Sequence, residues 1–185
     1  MQNPRQTLEG LTRTGHNAQL LDFAEAFDPK TDSAYIWGPV GTGKTHVARV
    51  IVNRAGHAGQ LLRAASIPRF VRQAFDIDGV TEGDLIRTFC GGKISTMQYY
   101  IPGIQVLGID DIAVEKMSEY AESIICEILD RRYDAGMAGL VVTSNLSLDD
   151  LAAKIGSERI ASRLAQQCKV FDLTGERDWR IKQCP

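Results

Sequence analysis

The stretch that decides the fold reads Gly38-Pro39-Val40-Gly41-Thr42-Gly43-Lys44-Thr45. It matches the pattern G-x-x-x-x-G-K-[ST], and it lies between a short apolar run at 34–37 and a segment with helical periodicity at 46–55. A strand, a glycine-rich loop and a helix in this order are the context in which the pattern forms a cradle for phosphate groups. A glycine-rich turn without function is the alternative, and the Lys-Thr pair in register with the correct flanks argues against it.

The residue types of this loop explain how it would bind phosphate. Its three glycines permit backbone angles that point successive N–H groups inward, and the following helix N-terminus attracts phosphate oxygens. Lys44 adds a positive charge near the β- and γ-phosphates, and the Thr45 hydroxyl is placed to ligate Mg²⁺. We therefore predict that the whole stretch, together with the adjoining His46, binds ATP with Mg²⁺.

A second nucleotide signature follows about 65 residues later. The apolar run at 104–109 predicts a strand that ends in the acidic pair Asp110-Asp111. Asp110 would hold Mg²⁺, directly or through water, and Asp111 would orient and polarise the attacking water. An Asp-Asp pair alone often just begins a turn, so this prediction depends on the glycine loop.

The composition sets limits on the function. The chain has 185 residues, of which 44% are apolar and 24% are charged, as is typical of one soluble globular domain. Its net charge of −2 excludes a dedicated nucleic-acid coat protein, so any contact with DNA would be local or supplied by a partner. No apolar run approaches the roughly 20 residues of a membrane helix, and the polar N-terminus lacks a signal core. We expect a cytoplasmic protein that has free thiols and no membrane contact.

Hydrophobic periodicity predicts the remaining elements. Strands are expected at 34–37, 59–64, 104–109, 139–143 and 169–173. Helices are expected at 17–27, 46–55, 66–75, around 84–87, at 117–133, from 147, and at 158–164. Ser66 and Ser118 are predicted as N-caps, and Gly136 is predicted to end the 117–133 helix. The segment 91–102 is predicted as a surface loop.

Three groups outside the two signatures have open interpretations. Asn145, at the end of the fourth predicted strand, either reaches the γ-phosphate or its water, or forms an ordinary Asx turn. Arg69 and Arg72 share a helix face, which either meets DNA phosphates or is solvated. Tyr99 and Tyr100 either stack on bases or pack against the core.

Five segments together resemble one family. They are 38–45, Leu107-Gly-Ile-Asp-Asp111, Arg132-Tyr-Asp-Ala-Gly136, Val142-Thr-Ser-Asn-Leu-Ser147 and Arg159-Ile-Ala-Ser-Arg163-Leu164. The first four resemble AAA+ ATPases of the DnaC/IstB type, which include bacterial and phage helicase loaders and transposition helpers. The last resembles an arginine motif that these proteins share with the initiator DnaA. The resemblance covers residues from about 18 to 181.

The resemblance implies an α/β fold, the AAA+ P-loop NTPase core: a five-stranded parallel sheet in the order 5-1-4-3-2, with helices on both faces. It also implies that Asn145 is the first sensor. Arg163, with Arg159 as second choice, would be the finger that reaches the ATP of a neighbouring subunit, so full activity would require self-association. An ordinary salt-bridged helix face is the alternative for these two arginines.

The sequence departs from the family pattern in three ways. Asp111 stands where many AAA+ proteins have Glu. The helical lid is expected to be absent or vestigial, which puts in doubt a second-sensor role for Arg180. Only some thirty residues precede the core, so we expect a leader and helix at 1–32 and the ATPase core at 33–185.

The leading functional hypothesis is a helicase loader. ATP binding would control its assembly with a replicative DNA helicase, and it would help to place that helicase on single-stranded DNA before hydrolysis releases it. An IstB-like transposition helper that assembles on duplex DNA is the first alternative. A P-loop small-molecule kinase and a nucleotide-gated scaffold with negligible turnover are the others.

Overall fold

A computed structural model describes residues 7–8, 11–96, 98, 100–113, 117–155 and 158–179, with the side chains at 74 and 75 excepted. The helices are α1 (Ala18–Ala26), α2 (Lys44–Arg54), α3 (Ile67–Arg72), α4 (Glu82–Thr88), α5 (Glu119–Asp134), α6 (Leu148–Ile155) and α7 (Glu158–Gln167). The strands are β1 (Ala34–Trp37), β2 (Gly59–Arg63), β3 (Ile94–Ser95), β4 (Tyr100–Ile101), β5 (Val106–Asp110), β6 (Leu140–Ser144) and β7 (Lys169–Asp172).

The main sheet has five strands in the order β2-β5-β6-β1-β7, and all neighbours run parallel. If only these five strands are numbered along the chain, the observed order is 2-3-4-1-5. Counted from the opposite edge of the sheet, this is the predicted order 5-1-4-3-2, so the predicted fold is confirmed. The carboxyl ends of parallel strands meet at one edge of the sheet, where ligands bind in such folds. The phosphate loop, Asp111 and Asn145 follow three adjacent strands, β1, β5 and β6, and therefore lie at that edge.

Helices cover both faces of this sheet. On one face α1 and α2 pack against residues such as Ala34, Ile36 and Val141. On the other face α3, α4, α5 and α7 pack against residues such as Tyr35 and Val142. Because both faces are covered, β5 and β6 are buried along their whole length, which explains their continuous apolar character. The predicted division at residue 32 stays a prediction.

The termini of α5 are as predicted. The Ser118 hydroxyl accepts a hydrogen bond from the Ala121 amide at 3.2 Å. Gly136 adopts a left-handed conformation, with φ of +62°, and its amide donates to the Tyr133 carbonyl at 2.9 Å. The helix α3 begins after Ser66 with a proline in its first turn, as predicted, but the Ser66 hydroxyl makes no capping bond, because its own backbone is already helical.

The prediction of a plain surface loop at 91–102 is also wrong in part. This segment contains the strands β3 and β4, which form a short antiparallel ribbon with Ile94 opposite Ile101. These two side chains pack against a small cluster around Val80 and Leu85, which draws the two strands together. Tyr100 is 66% exposed, so it does not pack against the core. Tyr99 lies outside the described residues.

Within the described ranges, no helix combines the length and the apolar character that crossing a bilayer requires.

Candidate nucleotide site

The phosphate loop turns sharply between β1 and α2. Gly41 and Gly43 have φ values of +87° and +90°, a region that residues with a Cβ rarely adopt. A Cβ added to Gly41 would also lie 1.9 Å from Oδ1 of Asp178. The backbone angle therefore favours glycine at this position, and a larger residue would also force the Asp178 side chain to move.

Lys44 spans the loop from the first turn of α2. Its side chain is buried, with 5% exposure, and its Nζ donates to the carbonyls of Gly38 at 2.7 Å and Pro39 at 2.6 Å. The Thr42 hydroxyl donates to the same Pro39 carbonyl at 2.9 Å. The loop thus holds a buried ammonium group beside a helix N-terminus, and both features favour an anion.

Thr45 and Asp110 lie in direct contact. The Thr45 hydroxyl donates to Oδ1 of Asp110 at 2.8 Å, and Asp110 is 6% exposed. A hydroxyl and a carboxylate placed together beside a phosphate loop are the oxygen ligands that Mg²⁺ takes in nucleotide sites, where phosphates and water supply the rest. The residues present therefore fit Mg²⁺, and the described residues contain no His/Cys/Asp/Glu cluster that would hold a metal without a nucleotide.

Asp111 begins a tight turn after β5. Its φ is +58°, and its amide donates to the hydroxyl of Thr143 on β6 at 3.0 Å. Burial, followed by the charge of Asp110, raises the pKa of the Asp111 carboxyl, while the charges of Lys44 and Arg63 act in the opposite direction. A carboxylate that is partly withdrawn from water beside a phosphate loop suits the polarisation of a water molecule.

Lys44, Thr45 and Asp111 line one cavity of about 590 Å³. Its lining comes from the loop, the start of α2, two strand ends and two distant segments: Leu11, Val40, Gly41, Gly43, Lys44, Thr45, His46, Arg49, Asp111, Asn145 and Trp179. Asn145 thus lines the same cavity as the phosphate loop, and its role as a sensor stays a prediction. His46 also lines the cavity, and one ring nitrogen lies 2.8 Å from the Thr7 carbonyl.

Sequence reasoning missed three of these lining residues. Arg49 lies one helical turn after Thr45 on α2, so its spacing could have indicated it. Trp179 is placed by a backbone bond from its amide to the Gly41 carbonyl, at 3.0 Å. Neither Trp179 nor Leu11 has a local sequence signal, because both reach the loop from remote parts of the chain.

The two candidate finger residues lie elsewhere, on α7. Nε of Arg163 contacts Oδ1 of Asp130 at 2.5 Å, and Arg159 contacts Oδ2 of the same carboxylate at 3.3 Å. The Arg163 guanidinium also stacks on the Tyr133 ring, 5.0 Å from its centre. Within the described chain, these arginines form the salt-bridged helix face that the sequence left as an alternative. Arg180 lies outside the described residues.

A second cavity, of about 640 Å³, adjoins the first, and Asp111 lines both. Arg63, Arg69 and Arg72 lie on its wall, and the Arg72 guanidinium stacks on the Tyr120 ring at 4.6 Å. The predicted face of Arg69 and Arg72 is therefore part of a concave, positively charged surface beside the acidic pair.

In a sheet of this order, a phosphate loop follows β1, an acidic pair lies at the end of β5 and Asn145 follows β6. These features define a P-loop nucleotide-binding domain of the AAA+ class. The chain belongs to the family of IstB-like ATP binding proteins, whose sequence model matches residues 21–184.

Relatives of two kinds match the chain. It is 27% identical over 146 residues to the replicative helicase loader DnaC of Escherichia coli (strain K12), covering 77% of this chain and 54% of DnaC. It is 24% identical over 162 residues to an ATP-binding protein of insertion sequence IS21 from Pseudomonas aeruginosa, covering 85% of this chain and 56% of that protein. The chain thus spans about half the length of these curated relatives.

The solved structures agree on the fold. A structure of the replication initiator DnaA bound to AMPPCP and single-stranded DNA superposes with a TM-score of 0.70 at 19% identity, over 92% of this chain and 50% of that chain. This superposition confirms the predicted AAA+ fold, and the family model and the DnaC relative confirm the resemblance to the DnaC/IstB type.

Proposed function

We propose that the chain is a Mg²⁺-dependent ATPase. The observation that carries this proposal is the contact between the Thr45 hydroxyl and Asp110, beside a cavity that Lys44, Asp111 and Asn145 also line. Bound Mg²⁺ would neutralise charge on the phosphate oxygens, and Thr45 with Asp110 would hold it.

The other side chains have distinct roles in this proposal. Lys44 binds the β- and γ-phosphates, for which it exchanges its present bonds to the loop carbonyls. Asp111 accepts a hydrogen bond from the attacking water and orients it. Asn145, which follows β6 and lines the same cavity, binds the γ-phosphate or that water.

We propose further that the protein is a helicase loader, as the relationship to DnaC supports. ATP binding controls its assembly with a replicative helicase, and hydrolysis controls release. Single-stranded DNA binds through its phosphates to the cavity that contains Arg63, Arg69 and Arg72. That cavity adjoins Asp111, so DNA and nucleotide would occupy neighbouring parts of the same sheet edge.

The relationship to an IS21 protein supports a second candidate equally well. In this alternative the ATPase assembles on duplex DNA as a transposition helper. The two candidates share the nucleotide site and differ in the partner that the assembled protein binds.

Arg163 is our candidate for the finger that completes a neighbouring subunit's site, and Arg159 is second. Both lie where α7 meets α5 and pair with Asp130; Arg163 also donates to Gln166 at 3.3 Å, and its side chain is one-third exposed. A neighbouring subunit's γ-phosphate would compete with Asp130 for this guanidinium. Hydrolysis should therefore depend on protein concentration.

Steady-state hydrolysis tests the enzyme and the finger together. Arg163→Ala is expected to keep ATP affinity within about threefold but to lose about 10³-fold in the rate of the assembled protein. Arg131→Ala, which removes an exposed arginine that pairs with Glu127 on α5, is the matched control and should keep the parental rate. An unchanged assembled rate in Arg163→Ala would reject the finger, and no hydrolysis by the parent would reject the ATPase.

The partner is tested by two assays with a non-hydrolysable ATP analogue. Co-purification with a hexameric replicative helicase is expected for a loader. Filaments on duplex DNA without helicase binding would reject the loader and support the transposition helper.

A further inference from the structure

The Thr143 hydroxyl makes hydrogen bonds to both residues of the acidic pair. It lies on β6, next to β5 in the sheet, and its side chain is fully buried. Its hydroxyl donates to Oδ1 of Asp110 at 2.6 Å and accepts from the amide of Asp111 at 3.0 Å. A hydroxyl has one proton to donate, and this one is committed to the carboxylate that would hold Mg²⁺.

The turn after β5 needs such support. Asp111 and Ala113 have φ values of +58° and +59°, which are uncommon for residues that carry a Cβ. Such a conformation persists only where the surroundings hold it in place. Here the support comes from β6: the Ile112 amide donates to the Thr143 carbonyl at 3.0 Å, and the Ser144 hydroxyl donates to the Ile112 carbonyl at 3.1 Å.

We propose that Thr143 is a positioning residue for ATP hydrolysis, acting on both acids at once. Its donated bond turns the Asp110 carboxylate towards the Thr45 hydroxyl, and its accepted bond fixes the direction in which Asp111 enters the cavity. This inference rests on the proposed ATPase function and extends it to a residue on the strand that also carries Asn145.

The side chain of threonine matters here through its hydroxyl and not through its shape. Thr143→Val keeps the volume and the branch at Cβ, but it leaves a buried carboxylate one donor short and the Asp111 amide without an acceptor. Buried groups that lose their partner rearrange to find another, because an unmade bond is costly in a dry environment. Thr143→Ser keeps the hydroxyl and should keep both bonds.

The experiment compares three variants by kcat, by KM and by affinity for a fluorescent ADP analogue measured without Mg²⁺. Thr143→Val should lose about 10- to 100-fold in kcat, while its metal-free nucleotide affinity stays within about twofold. Thr143→Ser should return to within about threefold of the parental kcat. Thr88→Val is the matched control: Thr88 is equally buried, and its hydroxyl bonds to Leu85 in α4, away from the site.

The outcomes separate positioning from general damage. A parental kcat in folded Thr143→Val would overturn the proposal. So would an equal loss in Thr143→Ser, since the hydroxyl would then not be responsible, or an equal loss in Thr88→Val, since any buried threonine would then have the same effect.

Two further readouts do not require hydrolysis, so they test Thr143 even if the parent turns out not to be an ATPase. Hydrogen exchange at the Asp111 amide should be at least about tenfold faster in Thr143→Val than in the parent or in Thr143→Ser. The tightening of ADP binding that Mg²⁺ produces should be about tenfold smaller in Thr143→Val, because Asp110 is no longer oriented. If neither quantity changes, the positioning role is wrong, whatever the rate of hydrolysis.

Discussion

Replacing Arg132 should lower the free energy of unfolding substantially without altering the nucleotide site. Arg132 is fully buried on α5, although it lies in a run that the sequence analysis used only as a family signature. Its guanidinium donates to four backbone carbonyls: Phe89 at 2.6 Å, Ile104 at 3.4 Å, Gln105 at 3.0 Å, and Ala138. These carbonyls belong to the end of α4 and to the segments that lead into β5 and β6.

The magnitude follows from charge and burial. Burial lowers the pKa of Arg132 to about 10, so the guanidinium stays charged at neutral pH. Each hydrogen bond to a charged group contributes about 1.5–3 kcal/mol, but the desolvation of the ion offsets much of the sum. Arg132→Met leaves up to four buried carbonyls without this donor, and an unpaired buried polar group costs about 1–3 kcal/mol. Relief of the ion's desolvation offsets part of this sum, so the net loss is about 3–5 kcal/mol, a large share of the roughly 5–15 kcal/mol by which domains are stable. We expect this loss of unfolding free energy for Arg132→Met.

Urea unfolding measures this loss of unfolding free energy directly. With an m-value of about 2–3 kcal/mol/M, the midpoint should fall by about 1–2.5 M at unchanged m. Arg131→Met is the control: Arg131 is 43% exposed and pairs with Glu127 at 2.7 Å, so its loss should cost at most about 0.5 kcal/mol. ATP turnover per folded molecule should not change, since three of the four carbonyls precede the amino ends of β5 and β6 and the fourth lies at the end of α4. A loss below about 1 kcal/mol in Arg132→Met would refute this reasoning.

Three predictions concern the site itself. Gly41→Ala should weaken nucleotide binding by at least about tenfold in a fluorescence titration, since its Cβ would meet Asp178 and its φ of +87° is unfavourable. Asp111→Asn should lower kcat by at least about 100-fold with ATP affinity within about threefold, as single-turnover and binding assays would show. Burial and the charge of Asp110 raise the pKa of Asp111, and the ionised form is the active one, so turnover should fall as the pH drops through this raised pKa. Arg63 lowers the same pKa, so Arg63→Gln should move the acid limb of the pH–rate profile to higher pH; a shift to lower pH would contradict the assignment.

The sequence predicted the parts of the fold that local chemistry determines. The phosphate loop demands glycine at particular backbone angles, and the buried parallel strands are continuous apolar runs, so both can be seen in short windows. The sheet order came from the family resemblance. The ribbon of β3 and β4 was not predicted, because two-residue strands are too short to show a hydrophobic period.

The missed contacts share a physical cause. Arg132 bonds to carbonyls that are 43, 28 and 27 positions earlier in the chain, and a backbone carbonyl carries no residue signature. Thr143 meets Asp110 across 33 positions, and only the register of β5 and β6 brings them together. The Trp179 amide likewise bonds to the carbonyl of Gly41, a residue far from it in the sequence. Such contacts become visible only when the sheet is assembled.

Calorimetric titration of the purified chain with an ATP analogue and Mg²⁺ tests the central claim most directly. The account predicts one nucleotide per chain, and a loss of affinity of about 10- to 100-fold in Lys44→Ala, since charge-assisted bonds to phosphate are removed. Lys30→Ala, which removes an exposed lysine before β1, should bind like the parent. If the folded parent binds no nucleotide, or if Lys44→Ala binds it equally well, the proposed site is wrong.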